Sequence, residues 1–229
     1  MTYSTPEPPP AGPERIALGM MRIDSLSDAE IRTLVDTAVD CGIRLIDHAD
    51  IYGPGEAPHG CERRFGEAVD LSGGRRESVL LQSKCGIVRG GPYYDFSRDH
   101  IVSAVEGSLR ALGTDYLDTL LLHRPDALME PEEVASAFDE LEASGKVRAF
   151  GVSNHTPGQL ELLRSTVRQP LRVNQLQLSL AHAAPIAAGV TANMSTYGRP
   201  SPGAPVASDF GVLDYCQLHG IEPQAWSPV

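Results

Sequence analysis

The 229-residue chain lacks any apolar run long enough to cross a membrane. A membrane helix needs about 18 or more consecutive apolar residues, and no stretch approaches that length. The Pro-rich N-terminus also lacks the hydrophobic segment of a secretory signal. We therefore expect residues 1–13 to be a short disordered lead-in and residues 14–229 to form a single domain that contacts no membrane.

Cysteine is scarce, and basic residues are fewer than acidic ones. The four cysteines show no CxxC or CxxH spacing, which argues against a zinc knuckle or a disulfide framework and favours reduced thiols in the cytoplasm. The 19 Lys and Arg residues stand against 30 Asp and Glu, for a net charge of −11. This charge argues against nucleic acid as a partner. An anionic cofactor is still compatible, because a phosphate site needs only a few local donors.

Helix signals alternate with short apolar runs along the chain. Capping-box patterns begin helices at Ser27 and Thr156, Asp99 opens another, and Pro131 takes a first-turn position. Short apolar runs are typical of strands buried on both faces. They occupy residues 16–18, 43–46, 79–82, 117–122, 147–152, 171–176 and 221–226. Seven such strands alternating with helices predict an α/β protein, either a barrel or a doubly wound sheet.

Polar residues cluster where these apolar runs end. They are Asp47, Lys84, His123, Ser153, Asn154, Gln175 and Ser227. In a (β/α)₈ TIM barrel, the carboxyl ends of the strands converge on one face and build the active site there. A doubly wound sheet usually carries an early glycine-rich turn, and neither GxGxxG nor GxxxxGKS occurs. The pattern therefore favours the barrel.

Several of these segments together resemble the aldo-keto reductase family. They are the LIDHADIYG segment at residues 45–53, Lys84, His123, GVSN at residues 151–154, Asn174-Gln175 and Trp226-Ser227-Pro228. The matches keep their order over essentially the whole chain. The resemblance implies a TIM barrel that lacks its last βα unit in this chain, since seven strands are predicted. It also implies NAD(P)H-dependent reduction of aldehydes or ketones to alcohols, with a small carbonyl compound as the partner.

The resemblance places catalysis at Asp47, Tyr52, Lys84 and His123. Carbonyl reduction needs a hydride at carbon and a proton at the oxygen. Tyr52 is the implied proton donor, and a nearby Lys84 ammonium is expected to lower the pKa of its phenol. Asp47 would pair with the buried lysine, and His123 would orient the carbonyl oxygen.

The resemblance also implies cofactor contacts, with NADP(H) favoured over NAD(H). It places Ser153, Asn154 and Gln175 on the nicotinamide carboxamide, which needs both donors and acceptors. Trp226, the only tryptophan, would lie against the nicotinamide ring and Ser227 near the pyrophosphate. A turn after the first strand, at Gly19, Met20 and Met21, would line the cofactor and substrate sites.

Taken singly, each catalytic candidate has an ordinary structural explanation. Asp47 could cap a helix or pair with Arg44, and Tyr52 could be a loop aromatic. Lys84 could be a solvated strand end, and His123 could be a core histidine. Two positions depart from the common family pattern, because His48 replaces a small residue and His155 replaces an aromatic one. The segment at residues 187–209, rich in Gly, Pro and Ser, predicts a long loop that either walls the substrate pocket or is a plain insertion.

Two other functions are compatible with the sequence. One is a metal-dependent barrel hydrolase, because Asp47, His48, Asp50, His59 and Cys61 are plausible ligands close together in sequence. Against it, Lys84 would repel the cation, and barrel metal sites usually draw ligands from several strand ends. The other is a regulatory protein or inactive fragment that keeps a cofactor pocket without turnover.

Overall fold

The computed structural model describes residues 15–55, 57–91, 93–186 and 211–228. The expected lead-in at residues 1–13 and the long loop at residues 187–209 lie outside these ranges. The strands are β1 (Ala17–Gly19), β2 (Leu45–Asp47), β3 (Leu80–Cys85), β4 (Ile87–Val88), β5 (Tyr93–Tyr94), β6 (Thr119–Leu122), β7 (Phe150–Ser153), β8 (Leu171–Gln177) and β9 (Glu222–Trp226). The α-helices are α1 (Asp28–Asp40), α2 (Gly60–Ala68), α3 (Arg75–Ser78), α4 (Arg98–Leu112), α5 (Pro131–Ala143), α6 (Pro157–Arg164) and α7 (Val212–His219).

Seven of the strands form one parallel sheet in the order β1-β2-β3-β6-β7-β8-β9. The predicted strands are therefore confirmed in number and order. Several extend further toward their carboxyl ends than the apolar runs do: β2 includes Asp47, β3 includes Lys84 and β7 includes Ser153. Apolar patterning misses these residues because the backbone of a residue with a polar side chain can still pair with the neighbouring strand of a parallel sheet.

The helix starts follow the capping chemistry of the sequence. Ser27 and Thr156 both form complete capping boxes, with Glu30 and Gln159 respectively. The prediction that Asp99 opens a helix was wrong by one residue, because α4 begins at Arg98. Ser97 is the cap of α4, because its hydroxyl accepts a hydrogen bond from the backbone N–H of His100 and frees Asp99 for the first turn.

The sheet curls, and its helices cover the outer face. Phe65 of α2 and Phe138 of α5 are fully buried, and the ring of Phe138 stacks on Phe150 of β7 with the centroids 4.1 Å apart. On the inner face, Gln82 of β3 donates to Gln224 of β9, although three strands separate them in the sheet order. Such a contact requires a barrel-like curl, which confirms the predicted α/β barrel architecture.

The helices are modest in length and amphipathic. Nowhere in the described ranges is a helix both long and apolar enough to cross a membrane.

Candidate active site

An ion pair between β2 and β3 lies at the centre of the site. Lys84 Nζ is 2.7 Å from Asp47 Oδ2 and also donates to the backbone oxygen of His48 at 2.7 Å. Only 1 % of the Lys84 surface is exposed. A charge this well buried needs a paired and hydrogen-bonded environment, which these two oxygens provide. Arg44 does not pair with Asp47, because its guanidinium donates to backbone oxygens at Glu77 and Ser78.

Tyr52 reaches the same ammonium from the loop after β2. Lys84 Nζ lies 3.2 Å from Tyr52 Oη, so one lysine contacts Asp47, His48 and Tyr52. The loop is held in place by the backbone of Tyr52, whose oxygen accepts from the N–H of Cys61 at 2.8 Å. The next residue, Gly53, has φ +119°, and a Cβ there would lie 2.8 Å from the Cα of Gly60. Only glycine permits this close approach of loop and helix.

His123 completes the group from the end of β6. Its backbone N–H donates to Cys85 at 2.9 Å, and its ring meets the Tyr52 ring edge-on with the centroids 5.9 Å apart. The imidazole is buried, and Nδ1 has no hydrogen-bond partner within the described part of the chain. The structure therefore brings together all four predicted catalytic side chains, which come from three strand ends and one loop.

Burial controls the protonation of both aromatic groups. It raises the pKa of Tyr52 above its ordinary value of 10, and the Lys84 ammonium acts in the opposite direction without cancelling this effect. Lys84 therefore lowers the Tyr52 pKa, as expected, but the net pKa is still raised because desolvation of the phenolate outweighs the lysine charge. Burial, together with the charges of Lys84 and Arg124, lowers the pKa of His123 well below 6.5. At neutral pH the site holds a protonated tyrosine and a neutral imidazole.

Two glutamine amides hold the second carboxylate oxygen of Asp47, and a third glutamine links them. Gln82 Nε2 donates to Asp47 Oδ1 at 2.6 Å, and Gln175 Nε2 lies 3.3 Å from the same atom. Gln224 Oε1 accepts from both amides, at 3.0 and 3.4 Å. The Asp47 carboxylate is thus fixed on one side by amides and on the other by Lys84. Sequence reasoning missed Gln82 and Gln224, although Gln82 stands two residues before Lys84 and so shares its face of the strand.

The candidate nicotinamide residues are joined by hydrogen bonds across three strand ends. Trp226 Nε1 donates to Asn154 Oδ1 at 3.0 Å, Asn154 Nδ2 donates to Ser153 Oγ at 2.8 Å, and Ser153 Oγ donates to the backbone oxygen of Gln175 at 3.0 Å. Asn154 adopts φ +60°, a backbone conformation that Asn tolerates better than most residues. A carboxamide presents one acceptor and two donors, and this set of amides and hydroxyl matches those groups.

The other predicted cofactor residues lie in different settings. Met20 donates its backbone N–H to the backbone carbonyl oxygen of Asp47 at 2.9 Å, but its side chain is fully buried in the core. Gly19 and Met21 beside it are exposed. Ser227 is exposed at the end of β9 with φ +47°. The turn after β1 therefore borders the site. Gly19 exposes its backbone there and Met21 exposes its side chain, whereas the Met20 side chain does not reach the surface.

A second buried polar cluster lies between the sheet and α2, on the side opposite Lys84. Glu62 is fully buried, accepts from Ser83 Oγ at 2.6 Å and lies 2.5 Å from His59 Nδ1. His48 packs its ring edge-on against Phe65. Strand alternation separates His48 from Asp47, so the ligand set considered for a metal hydrolase does not converge. Within the described ranges, no three His, Cys, Asp or Glu residues are grouped to hold a metal ion.

Two buried neutral histidines predict a loss of stability in acid. Burial lowers the pKa of both His48 and His155 to about 4. An unfolded histidine titrates near 6.5, so between these values the unfolded chain binds more protons. Stability is then complete above about pH 6.5 and falls as the pH drops toward 4, at about 1.4 kcal/mol per pH unit for each histidine.

Urea unfolding at several pH values measures this slope, and variants assign it. For His155→Gln, the free energy of unfolding should depend less steeply on pH between about pH 4.5 and 6.5, the range that separates the folded from the unfolded histidine pKa. The exposed His182 serves as the matched control, and His182→Gln should keep the wild-type slope. A His155→Gln slope equal to that of the wild type would contradict the assignment.

Comparisons with known proteins agree on one family. A sequence profile described as the Aldo/keto reductase family matches residues 15–229. An uncharacterized oxidoreductase, YcsN of Bacillus subtilis, is 42% identical over 94% of this chain and 66% of its own length. A 6-dehydroglucose reductase of Agrobacterium fabrum is 36% identical over 94% of this chain and 67% of its length. The chain thus spans about two thirds of the length of these relatives.

The solved structures give the same picture. The aldo/keto reductase from Klebsiella pneumoniae, whose structure is in complex with NADP and acetate, is 27% identical to this chain and superposes with a TM-score of 0.67. The match covers 92% of this chain and 62% of that protein.

Proposed function

The chain belongs to the aldo/keto reductase family, and on that premise we propose that it catalyses the NAD(P)H-dependent reduction of an aldehyde or ketone to an alcohol. The observation that carries the proposal is the convergence of Tyr52 Oη and the Asp47 carboxylate on one buried ammonium, Lys84 Nζ, at 3.2 and 2.7 Å. A general acid beside a buried, paired cation is the arrangement that proton delivery to a developing alkoxide requires.

The nicotinamide, when bound, supplies the hydride to the carbonyl carbon. Tyr52 supplies the proton to the carbonyl oxygen, and the neutral His123 ring orients that oxygen. Because Tyr52 is protonated in the free protein, it is ready to act as an acid. Once the proton has left, the phenolate lies beside Lys84, so the ammonium stabilises the product of proton transfer. Asp47 and its glutamines keep Lys84 in position through this change.

We assign the carboxamide to Ser153, Asn154 and Gln175 and the nicotinamide ring to Trp226, with Gly19, Met21 and Ser227 at the rim. Their amide and hydroxyl groups match the donors and acceptor of a carboxamide. The NADP-bound Klebsiella relative supports NADP(H) over NAD(H). The free thiols of all four cysteines support a cytoplasmic location.

The test is a steady-state assay of the purified chain. We expect NADPH absorbance to fall on addition of an activated aldehyde such as 4-nitrobenzaldehyde, with NADH a poorer reductant. Cofactor binding is followed in parallel by quenching of Trp226 emission. Tight NADPH binding without oxidation of NADPH by a panel of aldehydes and ketones would contradict the proposal and favour a non-catalytic cofactor-binding protein.

A further inference from the structure

Arg124 is a cation at the mouth of the candidate active site. It follows His123 directly at the end of β6 and is partly buried. Its guanidinium carbon lies over the ring of Trp226, 5.4 Å from the centroid. Trp226 in turn bonds to Asn154, so the guanidinium borders the residues that we assign to the nicotinamide. Arg124 therefore lies beside the candidate nicotinamide site and is partly exposed to solvent.

Arg124 also acts on the catalytic groups. Burial raises the pKa of Tyr52 and lowers that of His123. The positive charge of Arg124 lowers both pKa values, as the smallest cause in each case. Because the Arg124 charge influences both Tyr52 and His123, it also acts on the space between these two side chains. That space is where the carbonyl oxygen has to lie to receive the Tyr52 proton.

Eight arginines form ion pairs with Asp or Glu in the part of the chain that the structure describes. They are Arg64, Arg75, Arg76, Arg98, Arg110, Arg148, Arg164 and Arg168. In the part of the chain that the structure describes, the Arg124 guanidinium makes no hydrogen bond or ion pair, and its neighbour is an aromatic ring. A guanidinium carries five N–H donors and matches a carboxylate with two parallel hydrogen bonds. A partly desolvated cation of this kind gains most from an anion that arrives with the substrate.

We propose that Arg124 binds a carboxylate of the substrate, so that the enzyme prefers aldehydes and ketones that carry an acid group. This inference rests on the proposed carbonyl reduction and adds the substrate class. The carboxylate takes no part in the chemistry: hydride goes to the carbonyl carbon, the Tyr52 proton goes to its oxygen, and the acid is unchanged in the alcohol product. Arg124 thus supplies binding and selectivity.

A matched pair of aldehydes isolates the charge. 4-Carboxybenzaldehyde and methyl 4-formylbenzoate share a ring, a reacting group and a similar electron-withdrawing substituent, but only the first is anionic. We expect Arg124→Gln to lower the ratio of kcat/KM for the acid to kcat/KM for the ester by about tenfold to a hundredfold, as expected for a hydrogen bond to a charged group. Arg124→Lys should retain part of the preference for the acid, since it keeps the positive charge but loses the planar guanidinium that donates two parallel hydrogen bonds to a carboxylate.

The control is Arg172→Gln on β8, an exposed arginine outside the site, which should leave the ratio unchanged. Raising the ionic strength should weaken the wild-type preference for the acid, because salt screens the attraction. An equal loss for acid and ester in Arg124→Gln would show that Arg124 acts through the cofactor or through packing on Trp226, and would overturn the proposal. An unchanged ratio would overturn it as well.

Trp226 provides a readout that does not depend on turnover. It is the only tryptophan of the chain, and Arg124 lies over its ring. Titration with 4-carboxybenzyl alcohol should change its emission with saturation in the wild type but not in Arg124→Gln, and benzyl alcohol should have no such effect. If neither aldehyde is reduced while this carboxylate-specific change persists, only the proposed reduction fails. If the change is absent or survives in Arg124→Gln, the carboxylate site is wrong.

Discussion

Tyr52→Phe is expected to reduce the rate of carbonyl reduction by about 10²–10⁴-fold, which is the contribution that a positioned general acid usually makes. The variant removes only the hydroxyl that lies 3.2 Å from Lys84 Nζ. The ring, which meets His123 edge-on, stays in place, so the shape of the pocket and cofactor binding should be nearly unchanged. The measurement is NADPH oxidation with 4-nitrobenzaldehyde beside a fluorescence titration of the cofactor.

A matched control shows whether the loss of rate is specific to the hydroxyl of Tyr52 or follows from removing any tyrosine hydroxyl. Tyr94 lies exposed in the β4–β5 hairpin, and Tyr94→Phe should keep the wild-type rate. A Tyr52→Phe enzyme that retained more than about a tenth of the wild-type rate would exclude Tyr52 as the acid, because general-acid catalysis supplies far more than tenfold.

Lys84→Met is expected to abolish most turnover and to destabilise the fold at the same time. Breaking a buried ion pair by removing one partner typically costs about 3–5 kcal/mol, and here it leaves the Asp47 carboxylate with amide partners only. The pH profile should also change. Burial raises the Tyr52 pKa and Lys84 is the strongest opposing influence, so its removal should raise that pKa further and move the alkaline limb of the residual activity upward.

Two variants distinguish the catalytic loss from the structural one. Asp47→Asn combined with Lys84→Met removes both charges, so it should recover much of the unfolding free energy without recovering activity. Lys146→Met removes the other lysine, which forms a partly exposed pair with Glu106, and should affect neither property strongly. Activity that returned together with stability in the double variant would refute a catalytic part for Lys84.

The position of the site on the fold could be predicted from local pattern. Apolar runs that end in Asp47, Lys84 or His123 predict strand ends, and parallel strands in a barrel bring such ends to one face. The capping boxes at Ser27 and Thr156 depend on residues only three apart, so a window of one helical turn contains all the information. The seven-strand order and the meeting of the four candidate side chains followed from this pattern and from the family resemblance.

Other features were determined only by tertiary structure. The Gln82–Gln224 contact joins residues 142 positions apart and exists because the sheet curls until β9 faces β3. The raised pKa of Tyr52 depends on how far burial outweighs the Lys84 charge, a balance of desolvation against distance that residue types alone do not specify. The placement of Arg124 over Trp226 likewise joins two strand ends that are remote in sequence. Residue type and spacing determine which groups stand at the strand ends. The curvature of the sheet and the exclusion of water decide which of these groups meet and which proton each one holds.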